Sequence, residues 1–310
     1  MKRSAARRRY TAFASGLASM AMALGLAVIP AQAATPQRDV DYVALGDSYT
    51  AGTGADTSGR VAYGPFVPTL PCTQTAGGYV DIVDGADLVN RVANAACHGS
   101  LLTRPTWDGV TSVADQVTQL TTSGALSKDT ELVSMTAGAN DVGVNTVLFV
   151  CATSTTATCG QAVDAAAATM PSVGADLVKV LSAIHKQAPR ARIVVLGYPR
   201  LFNPAGVPVI SVDNQALVNR GTALLNTTIA ASVATANILY GANSQYVDVT
   251  AGFAGHEVNT PVPWIFLASS VDASGVLQFD PRSFHPTREG HDQYAAALRS
   301  SVKLTQLARP

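Results

Sequence analysis

Three times along this chain a short apolar run stops at small and polar residues. The runs are Val43-Ala44-Leu45-Gly46-Asp47-Ser48, then Leu88-Val89-Asn90-Arg91-Val92-Ala93 leading into Ala96-Cys97-His98-Gly99, then Glu131 to Thr136 leading into Gly138-Ala139-Asn140-Asp141. Two further runs, Arg192 to Gly197 and Gln245 to Val249, have the same character. Continuous Val/Ile/Leu runs of this length read as strands covered on both faces, the signature of a parallel sheet. Between them, apolar residues recur at helical spacing: Val113, Val117 and Leu120; Met170, Val173, Leu177, Leu181 and Ile184, closed by Pro189; Val218, Leu225, Ile229 and Val233; and Tyr294, Leu298 and Val302. Alternating strands and helices without repeat or linker predict one three-layer α/β/α sandwich with a central parallel sheet. Reacting groups in such folds gather beyond the carboxyl ends of the strands, where the small polar residues fall.

The amino terminus is of another kind. Lys2, Arg3, Arg7, Arg8 and Arg9 precede an apolar run from Ala12 to Ile29 and a small-residue site, Ala31-Gln32-Ala33. This predicts a secretory signal peptide over residues 1–33, cut after Ala33, with the paired arginines leaving either general or twin-arginine export open. The domain is then 34–310, in a protein expected to be secreted, without a stable membrane anchor and monomeric. Five of the 21 basic residues lie in the signal, leaving 16 against 21 acidic ones. That balance argues against nucleic acid as a partner.

All four cysteines, Cys72, Cys97, Cys151 and Cys159, lie in the exported part, where an even number reads as disulfides. Three pairings exist, and nearness along the chain favours Cys72 with Cys97 and Cys151 with Cys159. Residues Thr53 to Gly78, rich in Gly, Pro and Thr, read as a long surface loop held by the first bridge. No Cys-x-x-Cys pair occurs, and His98 has no histidine or cysteine at ligand spacing, so no metal or other cofactor is expected.

Alone, Gly46-Asp47-Ser48 reads equally as a helix cap, and Gly99, Asn140-Asp141 and Phe284-His285-Pro286 as a turn, a capping pair and a surface loop. In this order and spacing, however, they resemble the SGNH branch of the GDSL hydrolases. The likeness is strongest to its secreted bacterial lipases and esterases, with Gly46-Asp47-Ser48-Tyr49 and Ala96-Cys97-His98-Gly99. The resemblance implies a flavodoxin-like strand order and a serine esterase or lipase hydrolysing carboxylic esters of small molecules or lipids. It makes Ser48 the nucleophile, placed near a helix N-terminus, and His285 the general base. The Ser48 and Gly99 backbone N–H groups and the Asn140 side chain become the oxyanion hole.

One position departs from that pattern. The family usually carries Asp three residues before the histidine, and Arg282 stands there. Arginine has no acceptor, so a backbone carbonyl at or near Arg282 is expected to orient the His285 imidazole in a Ser–His dyad, with Asp280 as the rival third member. His98 is expected at the site mouth, His185 and His291 in helices, and His256 outside any derived role. The apolar residues 142–150 after Asn140 and 262–267 before His285 suggest an acyl-binding surface. Two other functions remain open: a carbohydrate or cell-wall O-deacetylase on the same fold, and a secreted binding domain without turnover.

Overall fold

The computed structural model describes residues 39–56, 62–63 and 72–308. The expected signal peptide and half of the Thr53 to Gly78 loop lie outside the described residues. In chain order the elements are β1 (Val40–Ala44), β2 (Ala62–Tyr63), β3 (Thr73–Gln74), α1 (Tyr79–Asp84), β4 (Val89–Asn94), α2 (Val113–Thr122), β5 (Leu132–Met135) and α3 (Val144–Thr153). They continue as α4 (Thr156–Gln187), β6 (Arg192–Leu196), α5 (Val212–Tyr240), β7 (Ser244–Val247), a 3-10 turn over Thr250–Phe253, β8 (Ser269–Val271), β9 (Leu277–Phe279), α6 (Arg288–Ser301) and α7 (Leu304–Leu307).

Five strands pair in the order β4-β1-β5-β6-β7, all parallel. Relabelled by their sequence in this sheet, the order is 2-1-3-4-5, the flavodoxin-like arrangement. Its switch point lies between β1 and β5, where connections leave in opposite directions and a crevice opens. Helices α2, α4 and α5 pack together, and α1 packs on α6, giving two helical layers around the sheet. The central strands are apolar because both faces are covered: Leu132, Val133, Ile193, Val194 and Val195 are fully buried.

Caps explain several boundaries. Ser112 and Asp115 form a reciprocal capping box that starts α2, so Gln116 in the next position turns inward. Thr287 caps α6 two residues beyond His285, and Gly241, at φ +65°, terminates α5 in the left-handed conformation.

The segment holding Cys151 and Cys159 is a corner between two helices. Cys151 lies in α3 and Cys159 in the first turn of α4, with Thr155 capping α4 between them. Val144, Val147 and Val150 have modest intrinsic helix propensity. Tertiary packing overrides it: α3 rests on α4 and α5, and Asn214 donates to the Cys151 and Ser154 carbonyls at the corner. The bridges join Cys72 to Cys97 and Cys151 to Cys159. By length and hydropathy α4 and α5 would also serve as membrane spans, which the sequence reading overlooked. Both instead direct apolar faces, including Leu177, Leu181, Leu225 and Ile229, into the buried core.

Candidate active site

The chain leaves β1 through Leu45 and makes a sharp turn at Gly46. At φ +132° a Cβ there would lie 2.3 Å from the Thr136 carbonyl oxygen, so only glycine lets the turn after β1 sit against the end of β5. Asp47 N then donates to that carbonyl at 2.9 Å. Ser48 opens a run of turns rather than a helix. Ala51 N reaches the Asp47 carbonyl and Thr53 N the Ser48 carbonyl, after which the chain departs. The expected helix N-terminus behind Ser48 is therefore absent. The field favouring negative charge at Ser48 comes from individual N–H groups, not from a macrodipole.

Asp47 is buried and accepts from the Tyr49 N–H, the Thr136 hydroxyl and the Tyr198 hydroxyl. Burial raises its pKa, against the pull of those hydrogen bonds. Thr50 adds bonds to Thr136 through both N and Oγ1. The residue that reads as a helix cap in sequence is thus a hub locking the serine turn to β5 and β6. Gln116 is a second one. Its Oε1 accepts from Gly46 N at 2.7 Å, and its Nε2 donates to the Gly46 carbonyl at 3.0 Å and to Ser100 Oγ at 2.9 Å. Sequence reasoning missed both, and the one usable signal for Gln116 was a polar residue on the apolar face of α2.

His285 arrives from the opposite side. Its Nε2 lies 2.8 Å from Ser48 Oγ and its Nδ1 3.0 Å from the Ser283 carbonyl oxygen. This geometry fixes the tautomer: Nδ1–H donates to the carbonyl, leaving Nε2 to accept from the serine hydroxyl. The main-chain acceptor comes one residue later than Arg282. The Arg282 carbonyl accepts from His285 N at 3.1 Å and also favours ring protonation, more weakly than Ser283. The Arg282 guanidinium clasps Asp280 through Nε at 2.9 Å and Nη2 at 2.7 Å and lies over the Phe266 ring. Asp280 is therefore held by its neighbour, not by the imidazole. Phe284 sits at φ +64°, an unfavourable conformation for a bulky residue. It is fixed by Phe284 N to the Phe266 carbonyl at 2.7 Å and by the Tyr49 hydroxyl to the Phe284 carbonyl at 2.6 Å.

Burial, then the neighbouring His98 ring, lowers the His285 pKa to about 3, against the pull of the two carbonyls. The imidazole is neutral at neutral pH, with Nε2 free to take a proton. His98 lines the cleft as expected, its Nδ1 3.0 Å from Thr53 Oγ1 and its ring 5.3 Å from that of His285. His291, in the first turn of α6, accepts from Tyr79 N and faces the Thr53 carbonyl, bracing the fold behind the site. His256 stacks on Trp264, and His185 lies in α4; neither joins the site.

The oxyanion candidates converge from three strand ends. Asn140 Nδ2 donates to the Ser100 carbonyl at 2.9 Å, fixing its carboxamide beside the Gly99 turn. Asp141 accepts from Leu102 N and is pushed by burial to a pKa of about 6. Among the described residues, no acceptor takes the N–H of Ser48 or of Gly99. Ser48, Asn140 and His285 open onto one shared cleft. Of the apolar residues expected to hold an acyl chain, Val144 and Leu148 line it, whereas Ile265 is fully buried core and Val262 is largely exposed. No group of three or more metal-ligating side chains occurs among the described residues.

With this geometry in view, comparison with known proteins is decisive. The model of the GDSL-like lipase/acylhydrolase family matches residues 42–298. The chain belongs to that family. It is a carboxylic ester hydrolase, on an α/β fold shared with lipases. It is 29% identical over 280 residues to Lipase 1 of Streptomyces coelicolor, covering 88% of this chain and 92% of the relative. Among solved structures, an extracellular lipase from Streptomyces rimosus superposes with a TM-score of 0.66 at 28% identity, over 85% of this chain and all of the other. Phospholipase A1 from Streptomyces albidoflavus matches equally well, with a TM-score of 0.66 at 29% identity and the same coverage.

Proposed function

We propose that this GDSL hydrolase is an exported serine esterase or lipase that works through an acyl-enzyme on Ser48. The observation carrying the reading is the hydrogen-bonded chain Ser48 Oγ, His285 Nε2, His285 Nδ1, Ser283 carbonyl, at 2.8 and 3.0 Å. His285 takes the hydroxyl proton as Ser48 Oγ bonds to the ester carbonyl carbon. The tetrahedral oxyanion meets the Ser48 and Gly99 N–H groups and the Asn140 amide, whose other hydrogen is spent on Ser100. Collapse breaks the bond to the alkoxy oxygen, which leaves with the proton from Nε2. Water then attacks the acyl carbon, giving its proton to His285, and the acid departs as Ser48 recovers its hydrogen. The machinery is a dyad oriented by main chain, and it calls on no metal or organic cofactor.

Export is supported by the arginine-led, alanine-rich leader ending at Ala31-Gln32-Ala33 and by the extracellular origin of the Streptomyces rimosus relative. A carbohydrate O-deacetylase would need polar walls for its sugar, whereas Val144, Leu148, Leu201 and Leu225 make this cleft apolar beyond the reacting groups. The named relatives, two lipases and a phospholipase A1, favour acyl esters with a hydrocarbon tail. Turnover of p-nitrophenyl acetate, p-nitrophenyl octanoate and an acetylated polysaccharide tests the reading. The octanoate is expected to have the highest kcat/KM. A clear preference for the polysaccharide would overturn it.

A further inference from the structure

The order of strands in the sheet gives the cleft two unlike sides. Strand ends run β4, β1, β5, β6, so His98 after β4 and Asn140 after β5 flank Ser48 after β1, and Leu201 after β6 lies beyond Asn140. On the β5–β6 side the cleft is faced by Val144, Leu148, Leu201 and Leu225, whereas on the β4 side the side chain that lines it is His98.

His98 is held in place from several directions. Its N–H donates to the Thr73 carbonyl at 3.2 Å, and Cys97 before it is bridged to Cys72. Its Nδ1 lies 3.0 Å from Thr53 Oγ1, and Thr53 N in turn donates to the Ser48 carbonyl at 3.0 Å. The ring sits 5.3 Å from that of His285. Nε2 is left over: among the described residues it has no hydrogen-bond partner, and it is not sealed from solvent, so it stays open to the cleft. Burial of the ring lowers its pKa, which keeps it neutral at pH 7.

A neutral imidazole with one nitrogen engaged offers a single polar contact through the other. The reaction says which part of a substrate meets it. His285 passes its proton to the alkoxy oxygen, so the alcohol half departs along that imidazole, and the ring beside it is His98. A hydroxyl on the carbon next to the ester-bearing one suits Nε2 in either tautomer. It accepts when Thr53 donates to Nδ1 and Nε2 carries the hydrogen, and it donates when Nδ1–H is spent on Thr53.

We propose that His98 is a specificity-determining residue that recognises the alcohol half of the ester through Nε2, selecting monoesters of 1,2-diols over esters of simple alkanols. The inference rests on Ser48 and His285 acting as described above.

The test compares 2-hydroxyethyl octanoate with propyl octanoate, which share an acyl chain and differ by a hydroxyl in place of a methyl. After each kcat/KM is divided by the rate with hydroxide, to remove intrinsic reactivity, the wild-type enzyme is expected to favour the hydroxyethyl ester about tenfold. His98→Phe keeps an aromatic ring against His285 and should bring this ratio to about one. His98→Gln, which still offers an amide, should restore part of it. Asn145, exposed in α3 on the other side of the cleft, is the control, and Asn145→Ala should keep the wild-type ratio. A purely structural role for His98 would slow both esters alike with the ratio intact, and that result would overturn the proposal. So would a wild-type ratio near one, which decides the matter even where a variant fails to fold, or a ratio lost in Asn145→Ala and kept in His98→Phe. Labelling of each protein at Ser48 with a fluorophosphonate reports an intact site. Wild-type protein that hydrolyses both esters without labelling at Ser48 would overturn the reading beneath instead.

Discussion

Gln116, which holds the turn at Ser48, lies behind the cleft rather than on it. Gln116 joins the turn after β1 to the turn after β4 with three hydrogen bonds from one buried carboxamide. Gln116→Ala is expected to leave Gly46 N unpaired, costing about 1–3 kcal/mol of stability. It should also lower kcat by on the order of a hundredfold by loosening the donors, with KM for a short ester little changed; urea unfolding and steady-state kinetics check the two effects. Asp280 gives the opposite case. Its carboxylate is occupied by Arg282, so Asp280→Ala should keep activity within about tenfold of wild type, whereas a loss of several orders of magnitude in folded protein would make it a third member of the machinery. The sequence made the Ser48 and His285 pairing legible, because four short blocks in order are specific. It could not say which carbonyl holds His285, since every residue carries one. Ser283 wins through the left-handed Phe284, a conformation no residue pattern announces.

At the scale of elements, the strands were readable because a covered parallel sheet leaves unbroken apolar runs. The long helices were readable because one face of each must be apolar. What escaped was set by tertiary contact: α3, whose valines favour strand, and the turn at Ser48, where cap-like residues bond across to β5 instead of starting a helix. The two disulfides also differ in what they hold. Cys72–Cys97 closes 25 residues and immediately precedes His98 and Gly99, while Cys151–Cys159 closes only 8 at the α3–α4 corner. By chain entropy the first is worth about 3.5 kcal/mol and the second about 2.5. A Cys72→Ala, Cys97→Ala double variant should therefore unfold at lower denaturant and also lose kcat through the Gly99 turn. The Cys151→Ala, Cys159→Ala pair should lose stability with a smaller effect on kcat for p-nitrophenyl acetate.

Over the whole molecule, burial keeps histidines neutral where they would ordinarily be charged. His285 and His291 are lowered to about 3 and about 4, and His98 is lowered as well. Because the base is already neutral, the acid limb of kcat/KM should fall well below the ordinary histidine value of 6.5, with activity at pH 5.5 within about twofold of that at pH 7.5. Stability behaves differently. Between 6.5 and the lowered native values, the unfolded chain binds protons that the folded one refuses, so each such histidine withdraws stability as pH falls through that window. For fully buried His291 the slope approaches about 1.4 kcal/mol per pH unit. Asp47 and Asp141, raised by burial, work in the opposite direction over the carboxylate range and soften the net loss. Urea midpoints at pH 7 and pH 5 should differ less in His291→Asn than in wild type.

All of this rests on Ser48 being a nucleophile activated by His285. The direct measurement is covalent labelling of the folded, oxidised protein with a fluorophosphonate, read by mass spectrometry of the peptide containing Ser48. The account predicts one adduct, on Ser48, absent in Ser48→Ala and slowed at least about a hundredfold in His285→Ala. Protein that hydrolyses esters while Ser48 stays unlabelled, or that labels at wild-type rate without His285, would contradict it.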